Sequence, residues 1–311
     1  MAEITLSYVL TTFNKISYIK VVLPELIRNK KIDEEIIVID GGSTDGTCEF
    51  ISELKRTNKI DYFISERDMG EAHGFNKGVL LAKGDLIKVV TDDDAYNYMV
   101  IKRCKDFMIQ HPEIDVLGGN TGNVSLGNKN SINWDEDFYL DFLKWQEGKL
   151  NSFFFNGTCL MIRRSSFPLI GLFDSNILLT DMEYTLRMTG VANLAWCTSF
   201  ISVRILNPRS NNLVFKQRAI EESEKLCLYY SYKYPWERKD DEQKKRSFYK
   251  KTRSIASKIK KALRKSEEKR TTPFEDFSSF EEAYNFSFKW MQEQAKIDTI
   301  QFLKKIPKTL L

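Results

Sequence analysis

The chain has 311 residues, 42% hydrophobic and 13% aromatic, which suits one large domain or a domain with an appendage and argues against wholesale disorder. Its 47 Lys/Arg against 43 Asp/Glu leave a net charge of +4, which by itself does not mark a nucleic-acid binder. Only two histidines, His73 and His111, and five scattered cysteines without a C-x-x-C pair speak against structural zinc and against Ser-His-Asp or Cys-His catalysis. Cys48, Cys104, Cys159, Cys197 and Cys227 read as small apolar residues of a reducing compartment. No apolar run reaches the roughly 18 residues of a membrane span, and no basic region precedes the first apolar stretch. A cytoplasmic chain without a signal peptide is expected, with carboxylates and a hard metal as its available chemistry.

In chain order, Ile4–Leu10 reads as a strand and Lys15–Arg28 as a helix through Ile19, Leu23, Leu26 and Ile27. Glu35–Ile39 is a second strand, ending at Asp40-Gly41-Gly42, and Asp45 to about Lys55 a second helix. Ile60–Ile64 is a third strand, Glu71–Ala82 a helix stopped by Lys83-Gly84, and Leu86–Val90 a fourth strand ending at Thr91-Asp92-Asp93-Asp94. Short apolar strands alternating with helices predict an α/β fold with a mostly parallel sheet, where ligands bind beyond the carboxyl ends of the strands. Polar clusters follow all four strands: Thr11–Asn14, Asp40–Gly46, Ser65–Gly70 and Asp92–Asp94. Four such clusters on one sheet edge point to a site.

Asp92-Asp93-Asp94 is the sharpest signal. Adjacent carboxylates repel unless solvated or neutralised. Mg²⁺ or Mn²⁺ would neutralise them, sharing the ion with substrate phosphates; the alternative is a solvated turn capping a helix that begins near Tyr96. The loop Asp40–Thr47 is either a phosphate cradle or a turn with a helix cap, and it matches neither the dinucleotide nor the P-loop pattern. Thr180 with Glu183 has the spacing of a capping box around Asp181, and Glu183 with Arg187 that of an i,i+4 pair. Phe153–Phe155 and Trp196 read first as core, and His73 as a helix residue.

These pieces together resemble the family 2 glycosyltransferases of GT-A fold. The matches are Thr11-Thr-Phe-Asn-Lys15, Val38-Ile-Asp-Gly-Gly-Ser-Thr-Asp-Gly-Thr47, Ser65-Glu-Arg-Asp-Met-Gly70 with Asn76-Lys77-Gly78, Gly84–Ile87 and Thr91–Asp94. Asn156-Gly157-Thr158, Arg163-Arg164, Phe173-Asp174 and Thr180-Asp-Met-Glu-Tyr-Thr-Leu-Arg187 follow in order, so the resemblance covers roughly residues 3–206. It implies a Rossmann-like, mixed but mostly parallel sheet with flanking helices. Thr11 and Phe13 would line the base pocket, and Asp40 would meet the uracil or ribose, although Gly41 stands where a second Asp is usual. Asp68, Asn76, Lys77 and Asp92 complete the nucleotide-sugar set. Asp93 with Asp92 and Asp94 would hold the metal, Asp181 would be the general base, and Glu183 and Arg187 would support it.

The remaining chain is a helical extension. Between Arg238 and Arg270 stand 15 Lys/Arg against 5 Asp/Glu, and 244–265 has the spacing of a basic amphipathic helix. It is expected either to lie on an anionic membrane, on its inner face, or to pack with a solvated basic face. Beyond Pro273, the spacing of Phe277, Phe280, Tyr284, Phe288 and Met291 suggests a closing helix against the core or a second subunit. The expected organisation is a catalytic domain over 1–210, with a donor half 1–110 and an acceptor half 111–210, and an extension over 211–311. The expected function is inverting, metal-dependent transfer from a UDP-sugar to a glycan or lipid-linked glycan in surface polysaccharide synthesis, without nucleic acid. Rival readings are a metal-dependent nucleotidyltransferase and a non-catalytic nucleotide-sugar or glycan-binding module.

Overall fold

The computed structural model describes residues 3–208, 210, 214–235, 237–238, 277–297 and 299–305. The basic segment 244–265 lies outside the described residues.

The front half follows the sequence pattern closely. Strand β1 (Leu6–Thr12), helix α1 (Ile16–Asn29), β2 (Glu34–Asp40), α2 (Thr47–Arg56), β3 (Tyr62–Ser65), α3 (Glu71–Leu81) and β4 (Leu86–Val90) succeed one another. β1 pairs in parallel with β2 on one side and β4 on the other, and β2 pairs in parallel with β3. The chain therefore winds outward through β2 and β3, then returns past β1 to place β4. That reversal opens a crevice at the carboxyl ends of β1 and β4, where ligands of open α/β sheets bind. β1, β2 and β4 are buried along their whole length because helices cover both faces. The two glutamates that begin β2 are buried with partners: Lys105 donates to Glu34 at 2.7 Å and the Ser7 hydroxyl to Glu35 at 2.6 Å.

After β4 the sheet becomes mixed. β5 (Asp94–Tyr96) leads into α4 (Tyr98–Gln110), and β6 (Val116–Ser125) and β7 (Asn128–Trp134) form a hairpin before α5 (Glu136–Gln146). β8 (Met161–Arg163), α6 (Phe167–Ile170), α7 (Thr180–Met188) and β9 (Leu194–Leu206) follow. β8 runs antiparallel between β4 and β6, and β9 pairs in parallel with β6. Phe153 and Phe155 are fully buried against Trp196, whose indole N–H donates to Asn120 Oδ1 at 2.9 Å, so these aromatics are core. No helix among the described residues is long and apolar enough to cross a membrane.

Two expectations change. The helix after the aspartates starts two residues past Tyr96, and its cap is Asn97, whose side chain accepts from Val100 N–H at 3.3 Å. Asp94 is in a strand instead, because β9 offers it an antiparallel partner. The C-terminal part is also not purely helical. Besides α8 (Lys216–Tyr229) and α9 (Phe280–Ile297) it contributes β10 (Phe302–Lys305), which pairs antiparallel with β9 at the sheet edge. Phe302 also stacks on Phe107 of α4 at 4.2 Å, and pairing with the open edge of β9 makes a strand of a segment whose apolar spacing also suits a helix.

α9 buries Phe280, Ala283, Tyr284 and Met291, the face its spacing foretells, against α1, β5 and β9. Phe280 meets Tyr18 edge-on at 4.6 Å, and Asn97 donates to the Met291 carbonyl at 3.2 Å. Truncating Phe280 to Ala should cost about 3 kcal/mol of stability, read as a lower urea midpoint; an unchanged midpoint would mean that α9 does not hold the sheet.

Candidate active site

The loop after β1 and the loop after β2 are tied together. Asn14, in the left-handed region at φ 52°, donates its N–H to Ser43 Oγ at 2.7 Å, and its side chain accepts from Thr44 N–H at 2.8 Å. Asp45 accepts from Ile16 N–H at 3.1 Å and from Thr47 N–H and hydroxyl at 3.1 and 2.6 Å, so one carboxylate serves the first turns of two helices. This knot fixes the turn from which Lys15 reaches the crevice. Thr11 is buried at the end of β1 and Phe13 projects beyond it, 56% exposed.

Asp40 is placed differently from expectation. It is fully buried, and its carboxylate is spent on the Ser43 hydroxyl and N–H and on Ser65 Oγ at 2.6 Å. It holds two loops together and has no exposed surface to offer a base. Asp68 accepts from Gly70 N–H at 2.9 Å. Asn76 spends both ends of its amide on the Phe173 main chain, at 2.8 and 3.0 Å, so it ties α3 to the loop before α7. Lys77 pairs with Glu66 at 2.8 Å. His73 accepts from Met69 N–H at 3.1 Å within its own turn.

The three aspartates separate. Asp94 turns into the sheet, accepting from Ile205 N–H at 3.0 Å and from the Thr91 hydroxyl at 2.6 Å. Each of its oxygens accepts one internal hydrogen bond, unlike Asp92 and Asp93, which face the Lys15 ammonium. Asp92 and Asp93 share Lys15, whose ammonium lies 2.5 Å from Asp93 and 3.8 Å from Asp92, and Asn207 also donates to Asp93 at 3.0 Å.

Asp181 stands at the start of α7, half-buried. Its carboxylate accepts from Met182 N–H at 2.8 Å and Gly157 N–H at 3.3 Å. The capping box does not form: the cap position is Leu179, which has no side-chain bond to offer. Glu222 of α8 instead holds the two residues ahead of the helix, taking Leu178 N–H at 2.7 Å and Leu179 N–H at 3.1 Å. Glu183 and Arg187 form a two-point pair at 2.7 and 3.0 Å, and Arg187 also binds the carbonyls of Ile170 and Leu172. That pair clamps α7 to the chain leaving α6. Beneath Gly157, the buried Lys88 donates to the Thr158 carbonyl at 2.6 Å and the Val89 carbonyl at 2.8 Å, joining β4 to the Asn156–Cys159 turn. Burial pushes this lysine down to about 8.

Electrostatics draws these groups into one site. Glu71, at the start of α3, is pushed up to about 8 by burial and then by the charges of Asp181, Asp92 and Asp93. Asp92 is raised to about 7, by burial first and Asp93 second. Burial also raises Asp181, against the opposing Gly157 hydrogen bond. Burial works against the Lys15 ammonium, but Asp92 and Asp93 outweigh it and its pKa ends above the ordinary value. Glu71 and Lys88 belong to no quoted motif, and Lys15 enters only as the last residue of the Thr11–Lys15 match. Lys88 stands out by pattern, as the single charge inside an otherwise apolar strand.

The donor set fits a hard cation in one particular way. Among the described residues no cluster of three or more His, Cys, Asp or Glu side chains forms a metal cage. Asp92 and Asp93 are two carboxylates on one edge, the arrangement used when substrate phosphates complete the coordination.

Comparison with known proteins agrees with this geometry. The model of glycosyl transferase family 2 matches residues 7–170. A poly-beta-1,6-N-acetyl-D-glucosamine synthase of Staphylococcus epidermidis is 25% identical over 196 residues, 59% of this chain and 45% of that protein. The Staphylococcus aureus (strain COL) synthase of the same name is 30% identical over 132 residues, 41% of this chain and 30% of its own length. The chain thus spans less than half the length of these relatives. Among solved structures, S. aureus TarS 1–349 in complex with UDP-GlcNAc superposes with a TM-score of 0.55 at 16% identity, over 72% of this chain and 66% of that one. The mannosyltransferase PcManGT of Pyrobaculum calidifontis, in complex with GDP-Man and Mn²⁺, gives 0.53 at 16% identity over 72% and 63%. Both likenesses concern the fold, which is GT-A-like.

Replacing Glu222 by Ala should cost about 1 kcal/mol of stability and lower turnover more than donor affinity, since it loosens the helix that carries Asp181. A kinetic comparison that finds turnover unchanged would dissociate α8 from the site. The matched model covers more than half of the chain, and on that ground the chain belongs to glycosyl transferase family 2.

Proposed function

We propose that this chain transfers a sugar from a nucleotide-diphospho-sugar, UDP-linked, to an acceptor hydroxyl with inversion at the anomeric carbon. One observation carries the reading: Asp181 from α7 accepts from Gly157 N–H, on the turn that Lys88 pins to β4, and β4 runs out at Asp92 and Asp93, with Glu71 near all three. The UDP-GlcNAc and the GDP-Man with Mn²⁺ held by the two solved relatives support a nucleotide-sugar donor and a divalent cation. The synthase names of the curated relatives support an N-acetylhexosamine donor and a glycan or lipid-linked glycan acceptor in surface polysaccharide synthesis.

Asp92 and Asp93 would hold the cation, which when bound stabilises the negative charge of the departing diphosphate. Thr11 and Phe13 would flank the base. Asp181 would accept the proton of the acceptor hydroxyl as its oxygen bonds to the anomeric carbon and the bond to the diphosphate oxygen breaks. No covalent enzyme intermediate is required, because a single displacement by a positioned base inverts the centre. Burial raises the Asp181 pKa, which makes its carboxylate a stronger base. The division into donor half 1–110, acceptor half 111–210 and supporting extension 211–311 belongs to the same proposal. So does a peripheral position on the inner face of a membrane through 244–265, which rests on sequence alone. Self-association through the C-terminal helices would use the exposed Leu228 and Tyr229 of α8.

The test is Asp181→Asn. Turnover should fall by about 10²–10⁴-fold, while the donor still binds in calorimetry. In the wild type, kcat/KM should fall on acidification, because the base is lost as pH drops through its folded pKa. That limb should lie above the ordinary Asp value of about 3.9. Full turnover in the Asn variant would remove Asp181 from the reaction and, with it, the inverting mechanism.

A further inference from the structure

We propose that Asp68 is the carboxylate that reads the donor's nucleobase, and that it selects uracil over cytosine. This rests on the nucleotide-sugar reading above and assigns the selectivity of that site to one side chain.

Asp40, the carboxylate at the end of β2, is withdrawn from the crevice by Ser43 and Ser65. Its neighbour Gly41 has no side chain, and the space above it is filled from elsewhere. Both carboxylate oxygens of Asp68 lie 3.2 Å from where a Cβ on Gly41 would stand. Asp68 Oδ2 also lies 3.4 Å from the Cβ position of Gly74 on α3, and that position is 2.9 Å from Thr11 Cγ2. The carboxylate is thus seated in a notch between the ends of β1 and β2 and the first turns of α3. Gly41 has no positive φ, so its backbone would tolerate a side chain; what the position needs is room.

The seat is also oriented. Gly70 N–H donates to Oδ1 at 2.9 Å and holds the carboxylate plane, while Oδ2 accepts no hydrogen bond from the described residues. Asp68 is half-buried, so Oδ2 can be reached from the crevice. An ionised carboxylate only accepts. Uracil presents a ring N–H at its pairing edge, whereas cytosine presents a ring nitrogen lone pair at the same place. The first completes the acceptor at Oδ2; the second sets two acceptors face to face. UDP and CDP share ribose and diphosphate and differ only at the ring nitrogen and the adjacent C4 group of this pairing edge.

The experiment is calorimetric titration of the full chain with UDP and with CDP in the presence of Mn²⁺. A hydrogen bond to a charged group predicts a preference for UDP of about ten- to a hundredfold. Asp68→Asn, whose amide can turn a donor toward either base, should abolish that preference. Gly41→Asp combined with Asp68→Ala returns a carboxylate to the same space from the other strand and should restore it. Gly41→Ala leaves Asp68 in place but crowds its carboxylate, and should weaken UDP more than CDP. Equal binding of UDP and CDP by the wild type, or a preference that survives Asp68→Asn, overturns the inference and leaves the donor reading standing. Failure of the wild type to bind either nucleotide removes the donor reading and this inference with it.

Discussion

Two neighbouring carboxylates, Asp92 and Asp93, are held nearly out of water at the end of a central strand with one ammonium, Lys15, between them. Like charges at this separation are tolerable only with a cation close by. Much of the surrounding structure serves that requirement. The Asn14 turn and its bond to Ser43 aim Lys15 at the pair, and Asp45 locks the turn by serving both adjacent helices. Asp94 is diverted to Thr91 and Ile205, which keeps a third charge from facing the same opening. With Glu71 and Asp181 nearby, carboxyl groups outnumber ammonium groups here, which suits the cation proposed above.

The second half of the chain positions Asp181, the base proposed above. Asp181 receives one N–H from Gly157, whose turn is held to β4 by Lys88, and the residues leading into α7 are held by Glu222 from α8. α9 and β10 then close the sheet against α1, α4 and β9. The C-terminal segments are thus continuous with the site mechanically, although none of the carboxylates proposed for the chemistry comes from them.

The parts of this arrangement readable from sequence are those set by period and by local chemistry. Uninterrupted apolar runs in β1, β2 and β4 and the polar clusters behind them place the crevice correctly, and the spacing of Phe280, Tyr284 and Met291 gives the buried face of α9. What escaped depends on partners distant in sequence. Asp94–Tyr96 is a strand only because β9 lies alongside, and β10 only because the edge of β9 is open to it. Asp40 has the composition of a ligand residue, yet Ser43 and Ser65 consume its carboxylate. Glu71 joins the site because α3 begins at the crevice, which no spacing rule reveals. Asp68 could be placed in the donor region by resemblance, but its position over Gly41 is a three-dimensional fact.

The central claim is that Asp92 and Asp93 hold a cation jointly with a diphosphate and not as a cage of their own. The direct measurement is calorimetric titration of Mn²⁺ into the chain with and without saturating UDP, and of UDP with and without Mn²⁺. Weak Mn²⁺ binding alone is expected, strengthened by UDP by the same factor with which Mn²⁺ strengthens UDP, since linkage is reciprocal. That mutual gain should vanish in Asp93→Asn. Tight Mn²⁺ binding without nucleotide, or UDP binding indifferent to Mn²⁺, would contradict it.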